Sequence, residues 1–87
     1  MAVTISRLKD YIITIPSGGL VVRLAYDAND NVEYVGYAPP GSANGDASWR
    51  IIKLTYNSNY DISSAKYAQG VSTFTNVWSS RSSYGYS

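Results

Sequence analysis

A shift of 30 positions lays one stretch of this chain on another, and that self-similarity limits the fold more than any other feature. Val21-Val22-Arg23-Leu24-Ala25-Tyr26 falls on Ile51-Ile52-Lys53-Leu54-Thr55-Tyr56, and Asp27-Ala28-Asn29 falls on Asn57-Ser58-Asn59. Val32 then matches Ile62, Tyr37 matches Tyr67, and Ala38 matches Ala68. Each copy reads as strand, turn, strand, so the pattern predicts a duplicated β-hairpin over residues 20–38 and 50–68. In the first arms a period of two places Val22, Leu24 and Tyr26, and equally Ile52, Leu54 and Tyr56, on the inner face. Arg23 and Lys53 then point outward. The loops Asp27–Asn31 and Asn57–Asp61 are rich in Asp and Asn, whose side chains bond nearby amides and tolerate left-handed backbone angles. The return arms Val32–Ala38 and Ile62–Ala68 alternate less cleanly. With Lys66 turned outward, Val35/Ala65 and Tyr37/Tyr67 form the expected buried set, and a bulge near each turn absorbs the mismatch.

At 87 residues the chain holds one domain, residues 1–87, and no more. A domain of this size hides only about 60–65% of the surface its unfolded chain exposes. With no cysteine and no histidine, neither a disulfide nor a tight zinc site can reinforce it. Charged residues are 15% of the chain and apolar residues 45%. Added stability must therefore come from good local structure or from burial against neighbours. The expected architecture is all-β: a small β-sandwich or open barrel of about five to seven strands.

The remaining segments are shorter. Val3–Ile15 reads two ways: Ile5, Leu8 and Ile12 are spaced as in a helix, whereas Tyr11–Ile15 looks like a strand. An N-terminal arm over residues 1–15 that ends in a strand is the favoured reading. Pro39-Pro40-Gly41-Ser42-Ala43-Asn44-Gly45 links the hairpins, and its paired prolines forbid helix. Such a surface loop suits contact with a partner. Phe74, Val77, Trp78 and Arg81 sit at i, i+3, i+4 and i+7, which predicts a short C-terminal helical turn capped by Ser72 or Thr73. Its aromatics either plug one end of the core or, with Trp78 and Arg81, join an interface. The tail over residues 82–87 has no packing period. It is expected to be disordered or to complete a strand with a neighbouring subunit, so its removal should weaken assembly more than folding.

Most chemistry is excluded. Nucleophilic catalysis by a Ser–His or Cys–His pair needs residues that are absent. Asp27, Asp30 and Asp61, half of the six acids, fall in the predicted turns, which explains them without a reaction. Asp27-x-Asn29-x-Asn31 begins like a calcium loop, but Val32 stands where glycine is needed and Ala38 where a bidentate glutamate is needed. Gly18-Gly19 leads into a strand and makes no phosphate cradle. The chain is read as non-enzymatic, with no cofactor and no metal. A net charge of +1 with scattered basic residues gives no stripe for nucleic acid. The longest apolar runs, Tyr11–Ile15 and Leu20–Val22, are far short of the roughly 20 residues that span a bilayer, so membrane insertion is not expected. No secretory signal is read at the N-terminus. Nine tyrosines and two tryptophans suit half-buried strand positions, interfaces and sugar-binding surfaces.

From Trp49 onward the chain carries W-x-I-x-K-x-x-Y, then A-x-G, then F-x-x-V-W-x-x-R and a Tyr-rich end. The residues are Trp49, Ile51, Lys53 and Tyr56; Ala68 and Gly70; Phe74, Val77, Trp78 and Arg81; and Tyr84 and Tyr86. With Tyr34–Gly41, this pattern resembles a group of small bacteriophage virion-associated structural proteins over half to two-thirds of the chain. Ser79-Ser80 stands where members often carry an acidic residue, so an ion pair there is not carried over. The resemblance implies a multicopy or homo-oligomeric virion protein made in the host bacterial cytoplasm. It would dock on other virion proteins as capsid decoration, at the neck, or on the tail or its fibres. The interface candidates are Pro39, Pro40, Trp49, Trp78, Arg81, Tyr84 and Tyr86. The competing expectation is a carbohydrate-binding adhesin module of a phage tail that contacts a host surface glycan.

Overall fold

A computed structural model describes residues 19–87 in full and residues 10–14 by their backbone. The rest of the expected arm, residues 1–9 and Ile15, lies outside the described residues. Strands β1 (Asp10–Thr14), β2 (Val21–Tyr26), β3 (Val32–Ala38), β4 (Ala47–Tyr56) and β5 (Ile62–Tyr67) form one antiparallel meander in chain order. The two-residue β6 (Asn76–Val77) pairs with the start of β4, and a 3₁₀ helix, Trp78–Ser83, follows it. The all-β expectation holds, with strands within the expected number and a short helical turn near the C-terminus. The layers are not two facing sheets. They are one sheet with the C-terminal segment laid across one face.

The two hairpins share five residue pairs at the 30-residue offset. Val22↔Tyr37, Arg23↔Gly36, Leu24↔Val35, Ala25↔Tyr34 and Tyr26↔Val32 correspond to Ile52↔Tyr67, Lys53↔Lys66, Leu54↔Ala65, Thr55↔Ser64 and Tyr56↔Ile62. Each has its register shift at the same place, between Ala25 and Tyr26 and between Thr55 and Tyr56, where the bulge was expected. The turns are also equivalent. Asp27 Oδ1 accepts the amides of Asn29 (2.8 Å) and Asn31 (3.0 Å); Asn57 Oδ1 accepts those of Asn59 (2.9 Å) and Asp61 (3.1 Å). The short Asx side chain satisfies two amides that the reversal leaves without ladder partners. The Asp27–Asn31 loop is thus built as an Asx turn. Among the described residues no group of three or more acidic, histidine or cysteine side chains is gathered to hold a metal.

Register assigns the faces. On one face lie the rows Arg23–Gly36–Ile51 and Ala25–Tyr34–Lys53–Lys66; on the other lie Val22–Tyr37–Arg50 and Leu24–Val35–Ile52–Tyr67. The core forms on the first: Ala25, Tyr34, Ala38, Trp49, Ile51, Ala68 and Trp78 make the buried cluster. This reverses the expected orientation. Leu24, Ile52 and Leu54 lie on the face away from this cluster, together with Val35/Ala65 and Tyr37/Tyr67, while Arg23 and Lys53 lie on the covered face; Val22, also on the far face, is the one member of the expected inner set there that is buried, at 5% exposure. The reason is space. Ala25, Gly36, Ala38 and Ala68 leave a shallow bed into which two indoles fit, and the branched side chains opposite offer none. A Cβ at Gly36 would stand 2.5 Å from Trp78 Cε3 and 2.9 Å from Trp49 Cε3. The two indole rings meet with centroids 5.7 Å apart, tilted by 40°.

The C-terminal helix is shorter than the i, i+3, i+4, i+7 spacing predicts. It begins at Trp78 with Val77 at the N-cap and no capping side-chain bond, so neither Ser72 nor Thr73 serves. Phe74 is left outside it, over the Arg50 guanidinium on the opposite face of the sheet. The bulk of Trp78 decides this: its ring must drop beside Trp49, and a two-residue strand followed by a 3₁₀ turn delivers it there.

Candidate functional site

The expected interface residues divide by burial. Trp49 and Trp78 are fully buried. The Trp49 indole nitrogen donates to Ala43 O (2.9 Å), which ties the Pro39–Gly45 loop to the core. Neither tryptophan can meet a partner in this fold, so both leave the interface set and become the centre of the domain. Arg81, Tyr84 and Tyr86 are half-buried. Arg81 CZ lies 4.7 Å from the Trp78 ring centroid. Tyr86 packs at 5.7 Å from Tyr34 and donates its hydroxyl to Arg81 O (2.7 Å), and the Tyr84 hydroxyl accepts the Val77 amide (2.9 Å). Only Pro39 and Pro40 of the seven are exposed. Their loop is built by Ala43 N donating to Asp46 Oδ2 (2.8 Å) and Ser79 N donating to Asn44 O (3.0 Å).

The tail is not free. Ser87 and Tyr67 exchange backbone bonds, Gln69 N donates to Gly85 O (2.7 Å), and Ala68 bridges to Tyr86. It completes a strand edge within its own chain, so the expectation of a disordered or subunit-swapped tail is corrected. The cause lies in Tyr84 and Tyr86, whose alternate spacing puts both rings on the covered face.

Three surfaces remain with chemistry to offer. The first is the face away from the core. Leu24, Val35, Tyr37, Ile52, Leu54 and Tyr67 form a contiguous half-buried apolar patch, and among the described residues no strand or helix packs across it. The Arg50 guanidinium stands at its end between the rings of Tyr37 (5.0 Å) and Phe74 (4.9 Å). No carboxylate among the described residues pairs with it.

The second is a notch between the hairpin tips. Pairing of β3 with β4 ends at Tyr34↔Lys53, and beyond it the Tyr56 hydroxyl donates to Val32 O (2.8 Å). The notch has a volume of about 350 Å³ and is lined by Asp27, Asn29, Glu33, Thr55, Asn57 and Tyr60 among others. Tyr60 is 61% exposed and sits at φ 63°, a left-handed angle that a bulky side chain rarely takes. The equivalent position in the first hairpin is Asp30, at the same φ.

The third is a smaller pocket of about 240 Å³ between Lys53, Thr55, Lys66, Tyr84 and Tyr86. Burial, then the neighbouring Tyr34 and Tyr84, hold the Tyr86 hydroxyl in its neutral form well above the ordinary tyrosine range. Tyr34 is raised by burial and by Glu33, and Tyr56 by burial and by Asp27.

The apolar face that no described strand or helix crosses was the feature that sequence reasoning missed. Its signal was present: both faces of β2 and β4 carry apolar residues, and only one can receive the two tryptophans. Comparison with known proteins finds no matching family, no matching curated protein and no matching solved structure.

Proposed function

We propose that this chain is a non-enzymatic structural component of a bacteriophage particle, present in many copies, which docks on another virion protein through the apolar sheet face that no described element covers. The observation that carries the docking is the patch itself. Its composition of aliphatic side chains, tyrosines, one phenylalanine and one arginine, without a carboxylate, matches the core of a protein interface. Arg50, stacked between Tyr37 and Phe74, supplies the complement for a carboxylate at the rim of the partner's apolar surface. Support for the phage context is the resemblance carried by Trp49, Lys53, Trp78 and Arg81 and their neighbours.

The test is made on virions of the phage that encodes the chain. Mass spectrometry of purified particles should recover it. Oxidative footprinting should show Tyr37, Leu54 and Tyr67 protected in the particle relative to the isolated chain. A chain missing from the virion, or an identical footprint in both states, overturns the reading.

The exposed Tyr60 at the notch favours one second reading, a carbohydrate-binding module, because an exposed aromatic ring beside Asp and Asn side chains is how sugars are held. A glycan array on the purified chain separates the two. Selective glycan binding that is lost in Tyr60→Ala supports the module, and a blank array leaves only the structural role.

A further inference from the structure

Lys53 and Lys66 are directly opposite one another on β4 and β5. In an antiparallel pair this places both side chains on the same face, with Cβ atoms about 4.5–5.5 Å apart, and like charges so placed repel. Natural sheets commonly pair such a lysine with a carboxylate. Here no carboxylate among the described residues pairs with either ammonium. Lys53 instead lies near the rings of Tyr34 (5.8 Å) and Tyr86 (5.9 Å), at the far limit of a cation–π contact. Glu33 lines the neighbouring notch together with Lys53 but does not line this pocket.

Around the two lysines the fold builds walls. Thr55, two residues along β4, brings a hydroxyl that bonds Ser64 Oγ. Tyr84 and Tyr86, brought over the sheet edge by the bonded tail, close the other side. Tyr84 Oη receives the Val77 amide, which leaves its own proton free to donate. The pocket is a partly open depression of about 240 Å³, larger than one oxyanion and roomy enough for the small group that bears it.

We propose that this pocket binds an oxyanion, a phosphate, sulfate or carboxylate group, between the Lys53 and Lys66 ammonium groups, with the Tyr84 and Tyr86 rings as apolar walls. The bound anion converts a repulsive cross-strand pair into two charge-assisted contacts. The site is separate from the apolar sheet face, because Lys53 and Lys66 lie in the row on the covered face. It holds whether or not the docking reading does.

The experiment is an amide chemical-shift titration of the purified chain with three probes used singly: inorganic phosphate, sulfate and glucuronate. Saturable shifts centred on Lys53, Thr55, Lys66 and Tyr84 are expected. Binding of all three marks a general oxyanion site, and binding of glucuronate alone marks the sugar acid as the source. Lys66→Glu supplies a carboxylate opposite Lys53 from the chain itself. It should therefore keep the fold and weaken binding roughly tenfold or more. Lys66→Gln should weaken it less. No saturable shift with any probe, or equal binding by Lys66→Glu and the unaltered chain, overturns the proposal.

Discussion

Replacing Gly36 by alanine tests the packing on which the whole domain rests. The added Cβ would lie 2.5 and 2.6 Å from Trp78 Cε3 and Cζ3 and 2.9 Å from Trp49 Cε3. Ordinary carbon contacts are about 3.5–4.0 Å, so roughly an ångström must be found at two ring edges at once. Neither ring has an easy escape. Trp49 is held by its bond to Ala43 O, and Trp78 is fully buried against it. Overpacking of this kind costs about 1–3 kcal/mol, and two immobile indoles place this site in the upper half of that range. Alanine recovers about 0.5–1 kcal/mol by restricting the unfolded chain and by suiting a strand better than glycine. The net loss is then about 1–2.5 kcal/mol. For a domain of this size that lowers Tm by roughly 5–15 °C. Thermal melts followed by circular dichroism read the shift, and the near-ultraviolet signal of the tryptophan pair reports the displaced rings. The decisive measurement is a cycle with Trp78→Phe. The smaller ring makes room, so Gly36→Ala should cost clearly less in that background than in the parent. An equal cost in both backgrounds, or a Tm unchanged by Gly36→Ala alone, refutes the reasoning.

Deleting residues 84–87 should lower stability by about 2–4 kcal/mol, because it strips two half-buried tyrosine rings from the core and the backbone bonds to Tyr67 and Gln69; denaturant melts check this, and an unchanged midpoint would show the tail to be dispensable for folding. Tyr60→Gly should raise stability by about 1 kcal/mol, since glycine takes the left-handed angle without the penalty that a Cβ carries there, and a lower Tm would contradict it. Tyr34, Tyr56 and Tyr86 all have hydroxyls raised above the usual range mainly by burial. A folded value above the unfolded one means that their contribution to stability is intact below about pH 10 and is lost as pH rises beyond it. Alkaline unfolding should therefore accompany the late rise in tyrosinate absorbance, and a reversible titration of all nine tyrosines with the fold intact would rule it out.

The hairpins could be read from the chain because their determinants are local. Two Asx residues at the turns, a bulge beside each, and alternating apolar positions fix a strand–turn–strand unit without reference to anything distant. Which face becomes the core is not a local property. Leu24 and Ile52 are better hydrophobes than Ala25 and Gly36, so alternation alone points them inward. The choice depends on where residues 76–86 return, and they return to the face with the smallest side chains because two indoles need depth, not oiliness. The same non-local cause explains the tryptophans. Trp49 and Trp78 are residue types common at interfaces, and only the bed formed by Gly36, Ala38 and Ala68 reveals that each is the other's partner. The tail was illegible for the opposite reason: Ser82–Ser87 has no helical or strand period, and its order comes from two tyrosine hydroxyls and a borrowed strand edge.

The equivalence of the two hairpins sharpens what their differences mean. Backbone register is the same at the five pairs the hairpins share, so a changed side chain there reflects a changed environment and not a changed geometry. Gly36 in the first copy corresponds to Lys66 in the second, and Tyr34 corresponds to Ser64. The first copy lies under Trp78 and Tyr86, where only glycine fits at the crossing point. The second lies at the margin of that cover, where a lysine and a serine face the small pocket. The paired arms agree better on the opposite face: Val22 with Ile52, Leu24 with Leu54, and Tyr37 with Tyr67. Val22 is buried, but the rest of this row, maintained in both copies, is only half-buried and is crossed by no described strand or helix, which the internal needs of the domain do not explain. A solvated sheet face is ordinarily polar at alternate positions. Its retention in both hairpins is therefore the strongest physical reason to look for the partner on that side, and substitution there separates binding from folding. Leu54→Asp, near the end of β4, should leave the tryptophan signal of the core intact and, under the proposed virion role, abolish recovery of the chain in purified virions. If incorporation survives that charge, the contact lies elsewhere.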